Sequence, residues 1–95
     1  QQYKIDVLNL IEPNGSVKSD CADITFFNAG TANVVLNNAL TIFPGSSITL
    51  GANANELDRT IYTYFFSSPG IKKLIVFRKI YIWWQFHLII ALLTY

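Results

Sequence analysis

Side-chain catalysis needs a base, a nucleophile or a metal ligand set beside a partner, and this chain offers few candidates. His87 is the sole histidine and lies in an uncharged apolar stretch. Triads, dyads and zinc sets that pair histidine with a second group therefore have no second member nearby in sequence, and a packed or hydrogen-bonded interface histidine is the expectation. Cys21, the only cysteine, stands near Asp20 and Asp23 and lacks a base to activate it. It excludes an internal disulfide framework, is too little for a zinc site, and reads as a small packed hydrophobe.

The six carboxylates, Asp6, Glu12, Asp20, Asp23, Glu56 and Asp58, could include a glycosidase pair, yet a domain this small has difficulty forming the cleft that such a pair needs. Asn53-Ala54-Asn55-Glu56-Leu57-Asp58 offers oxygen ligands at alternate positions, as calcium favours, but it lacks the length and acid density of an EF-hand loop. The competing reading is a polar loop whose Asp58 side chain caps the following turn. Gly45 and Gly51 are isolated turn glycines that do not open a helix after a strand, so nothing supports nucleotide binding. Asn14-Gly15-Ser16 matches a glycosylation sequon and is equally a good turn. The chain is expected to have no enzymatic activity, no cofactor and no metal.

Ninety-five residues make one domain at most, with limited room for a core. Only 14% of residues are charged and 52% are hydrophobic, where soluble domains carry about 25% charged residues. So little charge points to apolar surface covered by partners. Residues 1–58 hold two lysines against all six acids, and residues 59–95 hold five basic residues and no acid. Halves of opposite sign favour head-to-tail association between copies, and the basic cluster could also face anionic lipid headgroups or simply be a solvated strand. The chain opens on Gln1-Gln2 with no positively charged apolar leader behind them; no signal peptide is expected within these residues.

Periodicity gives the elements that would position any site. Tyr3, Ile5 and Val7 alternate with Lys4 and Asp6, a half-buried strand over about 3–11 that Pro13-Asn14-Gly15 ends. Ile24 to Phe27 alternates again and stops at Asn28-Ala29-Gly30, where glycine supplies backbone angles that other residues avoid. Val34 to Leu36 and Leu40 to Phe43 flank Asn37-Asn38, a pair tolerant of the left-handed conformation, and form a hairpin. Pro44-Gly45 marks a turn, Ile48 and Leu50 a short strand, and 51–55 a small-residue loop able to carry function. Thr60 to Phe66 is a sixth strand bounded by Ser67-Ser68-Pro69-Gly70. The seventh places Leu74, Val76, Arg78, Ile80 and Ile82 on one face and Ile75, Phe77, Lys79, Tyr81 and Trp83 on the other. The fold class expected is all-β: a roughly seven-stranded antiparallel β-sandwich of Ig-like or jelly-roll type over residues 1–82, with a small β-barrel as second choice.

Ile80 to Tyr95 runs sixteen residues without Asp, Glu, Lys or Arg. A membrane-spanning helix wants about 20 apolar residues, and sixteen reach only about 24 Å. Arg78, Lys79, Trp83 and Trp84 nevertheless resemble membrane flanks. Against that, Trp84, Phe86, Leu88, Ile90 and Leu92 alternate with Gln85 and His87, as a strand pairing with a neighbouring subunit would. Residues 83–95 are thus an apolar arm, a membrane-contacting segment, or a stretch foreign to the domain, whose Asn- and Gly-rich style stops there. The expected interface is Arg78, Lys79, Tyr81, Trp83, Trp84, Phe86, Leu88, Ile90 and Leu92. Its cations and aromatics could imitate a nucleic-acid platform, but Ile75, Ile80 and Ile82 around them favour core or interface, and no nucleic-acid partner is expected.

Asp23-Ile24-Thr25-Phe26-Phe27-Asn28-Ala29-Gly30-Thr31-Ala32-Asn33-Val34, then Pro44-Gly45, Glu56 to Thr60, and Lys72-Lys73-Leu74, resemble small virion proteins of bacteriophages infecting Bacteroidetes-type hosts. The resemblance covers about residues 3–82 and consists of turn and strand patterns that also occur in cell-surface Ig-like repeats. The tail after Ile82 departs from it. The resemblance implies a capsid-associated decoration, vertex or spike-base protein, located in the virion, whose partners are copies of itself and other virion proteins, with lipid contact left to the tail. The rival expectation is a secreted or cell-surface Ig-like or pilin-type subunit completed by a neighbour's strand.

Overall fold

The computed structural model describes residues 2–53 and 56–82. Among them are eight strands and no helix: β1 (Gln2–Leu10), β2 (Asn14–Lys18), β3 (Asp23–Asn28), β4 (Val34–Leu36), β5 (Leu40–Ile42), β6 (Ser47–Gly51), β7 (Ile61–Phe66) and β8 (Leu74–Ile82). They form two antiparallel four-stranded sheets, β1-β8-β3-β6 and β2-β7-β4-β5, called here sheet 1 and sheet 2.

The pairing follows one rule. β4 pairs with β5, β3 with β6, β2 with β7 and β1 with β8, so the chain is a single long hairpin; β3·β8 and β4·β7 contacts then roll that strip into two sheets. Its apex is the turn at Asn37-Asn38, where both residues take positive φ (53° and 55°) and Ala39 N–H donates to Leu36 O at 3.0 Å. Consecutive left-handed residues give a turn whose twist matches that of the flanking strands, and asparagine tolerates the conformation. Every other connection between consecutive strands passes from one sheet to the other.

Both sheets contribute to one core. Ile24, Phe26, Leu74 and Val76 from sheet 1 meet Val17, Val34, Leu36, Ile42, Tyr62 and Tyr64 from sheet 2. Each fully buried aliphatic or phenyl side chain contributes on the order of 2 kcal/mol. Phe26 and Tyr62 join the sheets edge to face, with ring centroids 5.3 Å apart, a geometry that adds about 1 kcal/mol beyond area. Phe26, Ile24, Leu74 and Val76 show why the period-2 reading of β3 and β8 holds: alternate side chains enter the core and the rest face outward.

Three readings of the sequence need correction. Pro13-Asn14-Gly15 is only partly a turn: Asn14 and Gly15 begin β2, paired with Phe65 and Tyr64, so the strands number eight. In β1, Tyr3, Ile5 and Val7 face outward rather than into the core, being 53–54% exposed, while Leu8 and Leu10 pack inward and Asp6 pairs with Arg78. Gly30 does not have a positive φ. A Cβ there would stand 2.1 Å from Ile71 O, so glycine is needed for close backbone approach, while Gly45, at φ 81°, supplies the left-handed turn.

Asn28 ties the rolled strip shut. Its side chain is fully buried at the end of β3; Nδ2 donates to Ala32 O at 2.7 Å and Ile42 O at 2.9 Å, while Oδ1 accepts Gly30 N–H at 3.1 Å. Replacing it with alanine strands two buried carbonyls, each costing about 1–3 kcal/mol. Asn28→Ala is expected to lower stability by about 3 kcal/mol, read as a lower urea midpoint with an unchanged denaturant slope.

Candidate functional site

Two regions could carry function: a polar knot at one end of the sheets and the outer face of sheet 1. The knot gathers the crossings between strands. Cys21 and Asp58 form an isolated antiparallel bridge, with Cys21 N–H to Asp58 O at 3.2 Å and Asp58 N–H to Cys21 O at 2.8 Å. Asp58 Oδ1 accepts Thr60 N–H at 2.9 Å, the turn cap that the sequence suggested, and Oδ2 accepts the Tyr62 hydroxyl at 2.6 Å. The Ser19 hydroxyl donates to Asp58 O. An open groove of about 430 Å³ runs beside this knot, lined by Leu50, Gly51, Glu56, Asp58, Thr60 and Tyr62 among others.

The electrostatics of the knot suit structure rather than catalysis. Desolvation, opposed by Arg78 and helped by Asp58, Asp23 and Asp20, pushes the Cys21 thiol up to about 11. That is the wrong direction for a nucleophile, which needs its thiolate at neutral pH. Burial pushes the Asp58 carboxyl up, but its bonds from Thr60, Tyr62 and Ser19 outweigh that and hold it below the usual carboxylate value. Desolvation and the bond to Asp58 raise Tyr62 to about 12. Among the described residues no three His, Cys, Asp or Glu side chains are grouped to hold a metal.

Arg78 belongs to the same end. Projecting from the inner face of β8, its Nε donates to Asp6 Oδ2 at 3.0 Å, Nη2 pairs with the same oxygen, and Nη1 reaches Lys18 O at 3.0 Å. It links β1 and β8 of sheet 1 to the end of β2 in sheet 2. Of the expected interface residues, Arg78 is thus engaged as a clasp, while Lys79 and Tyr81 lie on the outer face of sheet 1. Trp83, Trp84, Phe86, Leu88, Ile90 and Leu92, and with them the arm and membrane readings of 83–95, lie outside the described residues. Among the described residues no helix is long and apolar enough to cross a membrane.

The outer face of sheet 1 is the more informative surface. Register places Tyr3 opposite Tyr81, Ile5 opposite Lys79, Val7 opposite Phe77 and Asn9 opposite Ile75. On the next strand Thr25 lies opposite Phe77 and Phe27 opposite Ile75. The result is a band of apolar and aromatic side chains, with Phe77 at 37% exposure near its middle. Lys79 Nζ stands over the Tyr3 ring, 4.4 Å from its centroid, a cation–π contact that holds the charge against the band without interrupting it. The corresponding face of sheet 2 intersperses Ser16, Thr63, Thr41 and Lys18 among its apolar residues. Sequence periodicity placed Ile75, Phe77, Lys79 and Tyr81 on one face of β8 without saying which face is outward, and it missed the β1 half, because Tyr3, Ile5 and Val7 have the pattern of a core face.

Compared with known proteins, the chain matches no family model, no curated protein and no solved structure.

The knot also sets an alkaline limit. Cys21 is neutral in the folded state up to about 11 and ionises near 9.0 when unfolded. Above pH 9 the unfolded chain therefore binds fewer protons than the native one, and stability falls as pH rises. Tyr62 and Tyr64, both raised above the ordinary 10.0 chiefly by desolvation, add to the loss as pH approaches 10 and beyond. Urea midpoints are expected to decline between pH 9 and 10 for the natural chain and to decline less steeply over that interval in Cys21→Ala, where only the tyrosines remain.

Proposed function

We propose that this chain is a non-enzymatic structural subunit that acts by assembly, its outer sheet 1 face buried against other protein. The observation that carries this reading is the apolar band of Tyr3, Ile5, Val7, Ile75, Phe77 and Phe27 on a sheet whose other face already builds the core. A large exposed apolar patch marks an interaction surface. A stack of aromatic and aliphatic side chains with one held cation resembles the centre of a protein interface, which is depleted in charge.

For the fold, we read a jelly-roll β-sandwich rather than an Ig-like one. The strand orders 1-8-3-6 and 2-7-4-5 are those of a long hairpin rolled twice, the eight-stranded double-sheet arrangement of jelly rolls. An immunoglobulin order would pair the first two strands, whereas here β1 and β2 lie in different sheets. Jelly rolls recur in viral capsid and lectin domains. Together with the resemblance of residues 23–34, 44–45, 56–60 and 72–74 to small phage virion proteins, this supports a capsid-associated decoration, vertex or spike-base role in the virion. The support is by analogy of fold and pattern, and the same fold hosts other functions. The nine-residue edge of β1, without a neighbouring strand among the described residues, supports a second setting, a secreted or cell-surface subunit completed by a neighbour's strand.

Light scattering after size exclusion tests the shared core of both settings. The natural chain is expected to form a defined oligomer, and Phe77→Asp to shift it toward a monomer that still unfolds in one cooperative transition. A natural chain that remains monomeric at every concentration would remove the assembly reading.

A further inference from the structure

We propose that the open edge of β1 pairs with β1 of a second copy about a twofold axis through Ile5, merging two copies of sheet 1 into one eight-stranded sheet. The inference rests on the assembly reading above and names its partner and register.

The backbone directions come first. Ala29 N–H donates to Lys73 O at 2.9 Å and Ala22 N–H to Lys79 O at 2.8 Å. Odd-numbered residues along β8 therefore turn their backbone groups toward β3. Alternation turns the even-numbered ones toward β1, where Ile80 and Arg78 stand opposite Lys4 and Asp6. The N–H and C=O groups of Tyr3, Ile5, Val7 and Asn9 consequently aim at the outer edge, where β1 has no neighbouring strand among the described residues. Nine residues of edge without proline form a ready template for another strand.

Side chains then select the partner and the register. With the twofold at Ile5, each Ile5 faces its counterpart, and Tyr3 faces the second copy's Val7. These odd-to-odd pairs are the ones whose free backbone groups exchange two hydrogen bonds each. On the outer face the two apolar bands become continuous. On the inner face Lys4 stands opposite the second copy's Asp6, twice by symmetry. Lys4 is exposed and holds no ion pair among the described residues, and Arg78 takes Oδ2 of Asp6, leaving Oδ1 for a second cation. The neighbouring twofold registers lack this charge match: centring on Lys4 or Asp6 sets like charges face to face, centring on Val7 sets Lys4 against Leu10 and Asp6 against Leu8, and centring on Tyr3 sets Lys4 against Gln2. The segment Tyr3-Lys4-Ile5-Asp6-Val7 is thus complementary to itself when reversed, as an isologous contact requires.

Three variants of the full chain test the register. Ile5→Cys is expected to give a covalent dimer on mild oxidation, since opposed Cα atoms in a hydrogen-bonded pair lie about 5.5 Å apart, within disulfide range; Tyr3→Cys, whose counterpart is Val7, is expected not to. The natural Cys21 is fully buried and does not compete. Ile5→Pro deletes an N–H that serves only the open edge, so it is expected to abolish the dimer while leaving the unfolding midpoint near that of the natural monomer. Lys4→Glu is expected to raise the dimer Kd roughly tenfold by opposing two carboxylates in each pair. An oligomer that persists in Ile5→Pro, with no Ile5→Cys cross-link, overturns the inference and leaves the assembly reading standing. A natural chain that is monomeric at every concentration overturns both, whether or not Ile5→Pro destabilises it.

Discussion

The rolled strip depends on one buried amide. Because only the β4–β5 turn keeps the chain within a sheet, each other connection must cross the core's rim, where backbone groups lose their ladder partners. Asn28 stands at the rim where β3 ends and answers three of those groups at once, the carbonyls of Ala32 and Ile42 and the N–H of Gly30. Its own backbone continues the ladder, with N–H to Ser46 O at 3.0 Å and C=O from Gly45 N–H at 2.8 Å. A shorter polar side chain could not reach both sheets, and an apolar one would leave carbonyls desolvated. Gly30 is part of the same device: its missing Cβ lets the chain pass against Ile71 O closely enough for Thr31 and Ala32 to donate to that carbonyl.

The opposite rim is closed by charge and hydroxyls. Arg78 reaches from β8 to Asp6 and to the carbonyls ending β2, while Ser19, Asp58 and Tyr62 satisfy one another beside it. Two different chemistries thus seal the two ends. The spans differ too: the Asn28 side chain joins partners 4 and 14 positions away, and the Arg78 side chain joins Asp6, 72 positions away. Long-range closure favours a guanidinium, whose forked donors can hold a carboxylate and a backbone carbonyl together.

The same distinction governs what could be read from the residues alone. Local signals were legible: Asn37-Asn38 as a left-handed turn, Gly45 as a turn glycine, Asp58 as a cap, Cys21 as a packed hydrophobe, and the two faces of β8. Non-local ones were not. Arg78 reads as an interface cation until Asp6 is brought beside it by the β1·β8 register. Gly30 reads as a conformational glycine because its true constraint, the Ile71 carbonyl, is 41 residues on. Tyr3, Ile5 and Val7 read as a core face because period 2 reports which residues share a side, and only the neighbouring layer decides which side is in. Asn14 and Gly15 have turn chemistry, and their place in β2 is decided by Tyr64 and Phe65 across the pair.

Among the described residues the four sheet edges are treated unequally, and that inequality supports the assembly proposal more strongly than the apolar band alone. β5 is three residues long and runs out at Phe43-Pro44; β2 follows Pro13 and ends on Lys18; β6 is five residues with Ser47 and Thr49 on its outer face and Gly51 at its end. Short length, proline, lysine and small polar side chains are the devices by which sheets avoid joining others. β1 has nine residues, no proline, and an outward row of Tyr3, Ile5 and Val7. Its two charges, Lys4 and Asp6, are opposite in sign and two residues apart, so in the proposed pairing they would repel a copy centred on either of them and accept one centred on Ile5. An edge guarded by generic repulsion would carry charges of one sign; alternating signs about a central isoleucine confer selectivity instead, admitting one strand order and rejecting its neighbours.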